Sequence, residues 1–208
     1  MTKLLHLIGS PRGALSASTA VATTYIDALL QKNPNIEFDQ LNVWDEDLPH
    51  FGIDAITAKY SGITGTPLSA DQQNAWDKLS PLVNRIIGAD ELVISVPMWN
   101  FGIPYRLKHF IDLVTQKDYL FRFDEAGFTG MAKGKALLVC SRGTNYATGT
   151  DTPESEYDFQ KAYMLTWLKF IGITDVRTIT IEQMLFGTDA AATSITAGKA
   201  TAIELATS

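Results

Sequence analysis

The sequence predicts a doubly wound α/β fold: a five-stranded parallel sheet with helices on both faces. Three observations predict it. Five short apolar runs alternate with five segments of helical spacing along 208 residues. Three of the runs stop abruptly at Gly9, Pro97 and Ser141, as buried strands entering loops do. The first forty residues read strand, helix, strand, and a right-handed crossover makes such strands parallel. Apolar residues make up 46% of the chain and charged residues 19%, enough to bury one medium core. The expectation is a single domain over residues 1–208.

The elements follow in order. Leu4 to Ile8 is a strand that ends at Gly9-Ser10-Pro11-Arg12-Gly13. Ser16 to Gln31 places Val21, Tyr25, Ala28 and Leu29 near helical spacing, with Ser16 or Ser18 as cap and Asn33-Pro34 as stop. Ile36 to Leu41 alternates as a strand. Leu68 to Gly88 is an amphipathic helix with Ser69 as cap. Glu91 to Val96 is a strand ended by Pro97, and Pro104 to Val114 a helix with proline in its first turn. Ala136 to Cys140 is a buried strand, and Glu156 to Ile171 a helix ended by Gly172. Val176 to Ile181 is the fifth strand, and Ala190 to Ala206 the last helix. Two connections are long, Val43 to Pro67 and Thr115 to Gly134. The second carries Tyr119, Phe121, Phe123 and Phe128.

Composition narrows the function. The net charge of −6 disfavours nucleic acid as a partner, since phosphate backbones attract basic surfaces. The single cysteine, Cys140, excludes an internal disulfide and a multi-cysteine zinc site. No run reaches the ~20 apolar residues of a membrane span, and the Leu4 to Ile8 run is too short for a signal-peptide core. The expected setting is the cytoplasm, without a membrane partner. His6 falls inside a strand, and His50 and His109 lack ligand spacing. There is no G-x-S-x-G, no G-x-x-x-x-G-K-[ST] and no G-x-G-x-x-G after the first strand.

In open α/β sheets ligands bind beyond the carboxyl ends of the strands, so the loops after the first, third and fourth strands matter most. The first holds Ser10, Arg12, Ser16, Ala17 and Ser18 just before a helix N-terminus. Free N–H groups, hydroxyls and one cation there suit a phosphate monoester. A serine before a helix is also an ordinary cap. The second, Met98-Trp99-Asn100-Phe101-Gly102, offers rings for stacking a flat ligand, or packs beneath the sheet. The third, Ser141-Arg142-Gly143-Thr144, lets backbone approach a ligand at Gly143; Arg142 is either part of the site or a structural partner of Asp112 or Glu182. Acids and bases do not converge on these loops, as suits a cofactor that performs its own redox chemistry.

At these residues the chain resembles a known family. Gly9-Ser10-Pro11-Arg12 with Ser16-Ala17-Ser18, Pro97 through Pro104, Leu107-Lys108, Ile111-Asp112, Ser141-Arg142-Gly143 and Phe170 to Ile173 are similar to the FMN-dependent NADH:quinone oxidoreductases, or bacterial azoreductases. The resemblance covers essentially the whole chain. It implies a flavodoxin-like fold, a homodimer, non-covalent FMN, NADH or NADPH as donor, and quinones or azo compounds as two-electron acceptors. It implies that Ser10 and Ser16 to Ser18 hold the phosphate. Met98 to Phe101 and Ser141 to Thr144 then flank the ring system, with no protein residue carrying the chemistry. Asn100, Phe123 and Phe170 shape the acceptor pocket. The family often has tyrosine where Trp99 stands and glycine where Thr144 stands. The competing reading is a flavodoxin-type electron carrier. The modest charge and the two long, aromatic-bearing connections argue against it.

Overall fold

A computed structural model describes residues 1–64 and 66–208. Gly65, within the first long connection, lies outside the described residues. Five strands form one parallel sheet: β1 (Lys3–Ile8), β2 (Glu37–Asn42), β3 (Glu91–Pro97), β6 (Lys135–Ser141) and β7 (Asp175–Ile181), in the order β2-β1-β3-β6-β7. The order reverses between β1 and β3, which opens a crevice at their carboxyl ends. Ile8 pairs with Ser95, and Pro97 with Ser141, so the loops leaving β1, β3 and β6 emerge side by side.

Both faces of the central strands are covered, which is why they read as unbroken apolar runs. On one face Leu4, Val93, Leu137 and Val139 pack against α1 (Ala17–Lys32) and α7 (Thr188–Thr207). On the other, Leu5, Leu7, Ile94 and Leu138 pack against α3 (Ala70–Ile87), α4 (Tyr105–Val114) and α6 (Phe159–Ile171). The edge strand β2 buries only Leu41 completely. The start of α3 carries a capping box, with Ser69 and Gln72 each bonding the other's backbone. Among the described residues no helix is long and apolar enough to cross a membrane.

Several boundaries depart from the sequence expectation. The connection from Val43 to Pro67 contains a helix, α2 (Ile53–Thr64), which buries the small residues Ala55, Ala58 and Ser61. The connection from Thr115 to Gly134 contains a hairpin, β4 (Phe121–Asp124) with β5 (Gly127–Gly130). The helix expected from Glu156 is two, the short α5 (Glu154–Tyr157) and α6, broken at Asp158, whose carboxylate caps α6 by accepting from the Lys161 N–H. Pro104 precedes the first turn of α4 as its cap residue.

Candidate functional site

The site is built where β1, β3 and β6 end. After β1 a single 3-10 turn over Gly13–Leu15 leads into α1. Ser16 caps α1, its Oγ accepting the Thr19 N–H at 3.3 Å, and the first helical bond runs from Ala20 N–H to Ser16 O. The N–H groups of Ala17 and Ser18 thus precede the hydrogen-bond ladder, where a helix attracts anions. Ser10, Ser16 and Ser18 are buried beneath this loop, and Arg12 is exposed at its rim. Ser10 Oγ accepts the Arg12 N–H, leaving its own proton to donate.

After β3 the chain reverses within four residues. Trp99 and Gly102 exchange both backbone hydrogen bonds at 3.0 Å. The two residues between them are left-handed, Asn100 at φ +46° and Phe101 at φ +69°. That is the conformation of a type I′ turn, which ordinarily takes Asn-Gly. Phenylalanine there costs on the order of 1 kcal/mol, a strain found where structure serves a ligand. The Trp99–Gly102 pair leaves the N–H groups of Asn100 and Phe101 outside it. The Met98 N–H, by contrast, is spent on Ser141 O.

The loop after β6 is tied on one side. The carbonyls of Arg142, Gly143 and Thr144 accept from Met184, Leu185 and Gln183, and the Arg142 N–H donates to Ile181 O. The N–H groups of Gly143 and Thr144 lie outside that pairing. The Thr144 hydroxyl lies 3.2 Å from that of Thr152. The Arg142 side chain turns away from the ligand loops. It is 2% exposed and bonds Asp158, Glu154 at 3.0 Å and Glu182 at 3.4 Å. Of the two structural partners the sequence offers, Glu182 is right; Asp112 pairs with Lys108 instead. Arg142 therefore supports the site through α6, without facing it. Cys140 is fully buried, and desolvation pushes its thiol up to about 12, so it is no nucleophile.

The structure brings Ser10, Arg12 and Ser16 to Ser18 together with Met98 to Phe101 and Ser141 to Thr144. It does not bring Phe123 and Phe170 to them. Phe170 lies eleven residues along α6 from Phe159, about 16 Å at the helical rise. It belongs to a cluster at the amino edge of the sheet, where its ring centroid is 5.0 Å from that of Phe121 and 5.4 Å from that of Phe128. Phe123 joins this cluster through Phe128 at 4.7 Å. Within one chain neither residue reaches the loops.

Two residues were missed. Trp44 follows the edge strand β2, whose carboxyl-end loop the motifs did not single out. Its Nε1–H donates to Gly9 O at 3.0 Å, and its ring packs on Trp99 and Tyr105. Arg106 straps this segment to α4 through Val43 O and Glu46 O. Phe159, at the start of α6, donates its N–H to Phe101 O. Beside these residues opens a groove of about 700 Å³, lined among others by Trp99, Tyr105, Lys108, Phe159 and Tyr163. Among the described residues no cluster of His, Cys, Asp or Glu is arranged to hold a metal.

Comparison with known proteins agrees with this architecture. A family model for the flavodoxin-like fold matches residues 2–205. The chain is 42% identical over 189 residues to FMN-dependent NADH:quinone oxidoreductase 9 of Burkholderia lata, covering 90% of each chain. It is 42% identical over 188 residues to an FMN-dependent NADH:quinone oxidoreductase of Nitratidesulfovibrio vulgaris, covering 90% of this chain and 89% of the relative. Among solved structures, an azoreductase from Bacillus anthracis superposes with a TM-score of 0.87 at 27% identity over 99% of both chains. The chain therefore belongs to the flavodoxin-like family, alongside the FMN-dependent NADH:quinone oxidoreductases.

Proposed function

We propose that this protein is an FMN-dependent NADH:quinone oxidoreductase that also reduces azo compounds, taking two electrons from NADH or NADPH. The observation that carries this reading is the three-loop cradle, seen in a chain so similar to named NADH:quinone oxidoreductases. Its residues fit a flavin mononucleotide. Ser10, Ser16 and Ser18, with the N–H groups of Ala17 and Ser18, form a donor set for a phosphate dianion, and Arg12 adds charge at the rim. The N–H groups of Asn100, Phe101, Gly143 and Thr144 supply donors for the polar edge of a ring system. When bound, FMN would supply the redox chemistry.

The chain's own work is binding and orientation. Trp44 and Tyr105 hold the Trp99 ring. The strained turn sets the N–H groups of Asn100 and Phe101 in place in advance of binding. The groove at Trp99 and Phe159 admits a flat donor and later a flat acceptor to the same place, which makes the kinetics ping-pong. A volume of about 700 Å³ suits small-molecule turnover and argues against a carrier that only docks to protein partners.

The assembly we propose is a homodimer, in a cytoplasmic setting consistent with a single, buried cysteine. An apolar groove lies at the amino end of α6, and the hairpin at its carboxyl end exposes Phe123 and Phe128, 53% and 63% exposed. A twofold axis near the middle of α6 seats each copy's phenylalanines in the other's groove. That arrangement gives Phe123 and Phe170 the acceptor-facing role that they do not have within one chain.

The test is spectroscopic. Protein saturated with FMN and desalted keeps the visible flavin absorbance, NADH bleaches it, and benzoquinone restores it. Loss of flavin on desalting overturns the cofactor reading. Retained flavin that neither NADH nor NADPH bleaches supports the carrier.

A further inference from the structure

The cradle serines are hydrogen-bonded, through two other side chains, to a buried histidine that the redox chemistry does not use. His6 lies inside β1 and is 1% exposed. Its Nε2 is 3.0 Å from Ser95 Oγ on β3. Ser95 Oγ is 3.4 Å from Thr19 Oγ1, the longest link of the series. Thr19 Oγ1 donates to Ser16 Oγ at 3.0 Å, and Ser16 Oγ is 3.2 Å from Ser18 Oγ.

The direction of this chain follows from counting protons. A hydroxyl has one proton to give and two lone pairs to accept with. Ser16 Oγ accepts both the N–H and the O–H of Thr19, so its lone pairs are filled and it can only donate. Thr19 spends its one proton on Ser16, so toward Ser95 it accepts. Ser95 spends its proton on Thr19, so it accepts from His6. His6 must then carry its proton on Nε2. Burial supports this assignment, because desolvation lowers the imidazole to about 4 and keeps it neutral with a single N–H.

We propose that His6 and Ser95 are positioning residues. They polarise the hydroxyl chain outward, so that Ser16 gives its proton to Ser18 and Ser18 presents its own to the phosphate of a bound flavin mononucleotide. The proposal rests on the cradle reading above. It explains why a polar pair is buried under a loop whose own contacts do not need it. Hydroxyl rotors fixed before binding need not reorganise when the anion arrives.

The experiment compares two ligands that differ only in the phosphate. Affinities of the full-length, flavin-free protein for FMN and for riboflavin are measured by quenching of flavin fluorescence. Wild type prefers FMN strongly. Ser95→Ala, which breaks the chain with a minimal change of volume, lowers FMN affinity about 2- to 10-fold, the range of one hydrogen bond, and leaves riboflavin affinity unchanged. Thr19→Val repeats the loss from the helix side, and Thr19→Ser does not, which guards against a Ser95 variant that fails to fold. Equal losses for both flavins overturn the proposal, because they mark a merely structural role. So does an unchanged FMN preference in Ser95→Ala and Thr19→Val. A wild type that binds both flavins equally overturns the cradle itself, and the two failures are thereby distinct.

Discussion

His6 sets an acid limit on stability as well as a direction for the hydroxyl chain. Its folded pKa is about 4 against an ordinary 6.5. A buried base with a lowered pKa binds fewer protons folded than unfolded. Stability is therefore complete above pH 6.5 and falls as pH drops toward 4, by about 3 kcal/mol. Urea denaturation from pH 7.5 down to 4.5 shows this decline in wild type and a flatter profile in His6→Gln. The Glu154 carboxylate, held low by hydrogen bonds from Lys161 and Arg142, stabilises the fold above its ordinary 4.5 and adds to the decline only below it. A second prediction concerns Arg142. Its side chain and that of Asp158 are each 1% exposed. Arg142→Met leaves a carboxylate buried without its cation and costs about 3–5 kcal/mol in chemical denaturation. Lys108→Met breaks a pair whose members are 45% and 36% exposed and costs about 0–1 kcal/mol. Equal costs would contradict the view that α6 is held to the ligand loops through Arg142.

Among the elements, the hairpin β4–β5 depends on one close approach. A Cβ at Gly130 would overlap the backbone of Ile171 and Gly172, at the carboxyl end of α6. Gly130→Ala therefore pushes the hairpin off α6, with an expected loss of roughly 1–3 kcal/mol and freer exchange of hairpin amides. Unchanged amide protection would refute this docking. The same hairpin shows where the sequence was hard to read. Phe121 and Phe123 alternate as strand residues do, but four-residue strands carry little periodic signal. The helix α2 was also missed, because the residues it buries among those described are Ala55, Ala58 and Ser61, too weakly apolar to stand out. The central strands were plain for the opposite reason: both faces of Leu4 to Ile8 and Glu91 to Val96 are covered. The cradle loops were legible because Gly, Pro and Ser mark where strands stop. Trp44 and Phe159 were not, since what draws them to the site is tertiary packing on Trp99 and a backbone bond to Phe101, neither of which has a local sequence mark. Arg142 was legible only as a choice, resolved by Asp158 and Glu154 arriving from the segment that forms α5 and the start of α6.

At the scale of the whole molecule, groove and phenylalanine cluster lie at opposite ends of α6, the groove beyond the carboxyl ends of the strands and the cluster at their amino ends. A site that needs both must draw them from two chains. In a twofold dimer every site then takes its cradle from one copy and its phenylalanines from the other. Two crippled variants can test this division. Ser16→Ala with Ser18→Ala weakens the cradle and leaves the hairpin intact. Phe123→Ala with Phe170→Ala spares the cradle and removes the acceptor-facing rings. Each alone turns over quinone poorly. Unfolded and refolded together in equal amounts, they assort at random, so half of the dimers are mixed. In each mixed dimer one site unites the sound cradle with the sound phenylalanines, and the other unites the two defects. About one quarter of all sites are thus intact, and quinone reduction should recover to about that fraction of the wild-type rate. Refolding each variant alone supplies the baseline. Recovery no greater than the mean of the two separate variants would mean that each chain completes its own site. Phe123 and Phe170 would then serve the packing of the hairpin and nothing beyond it.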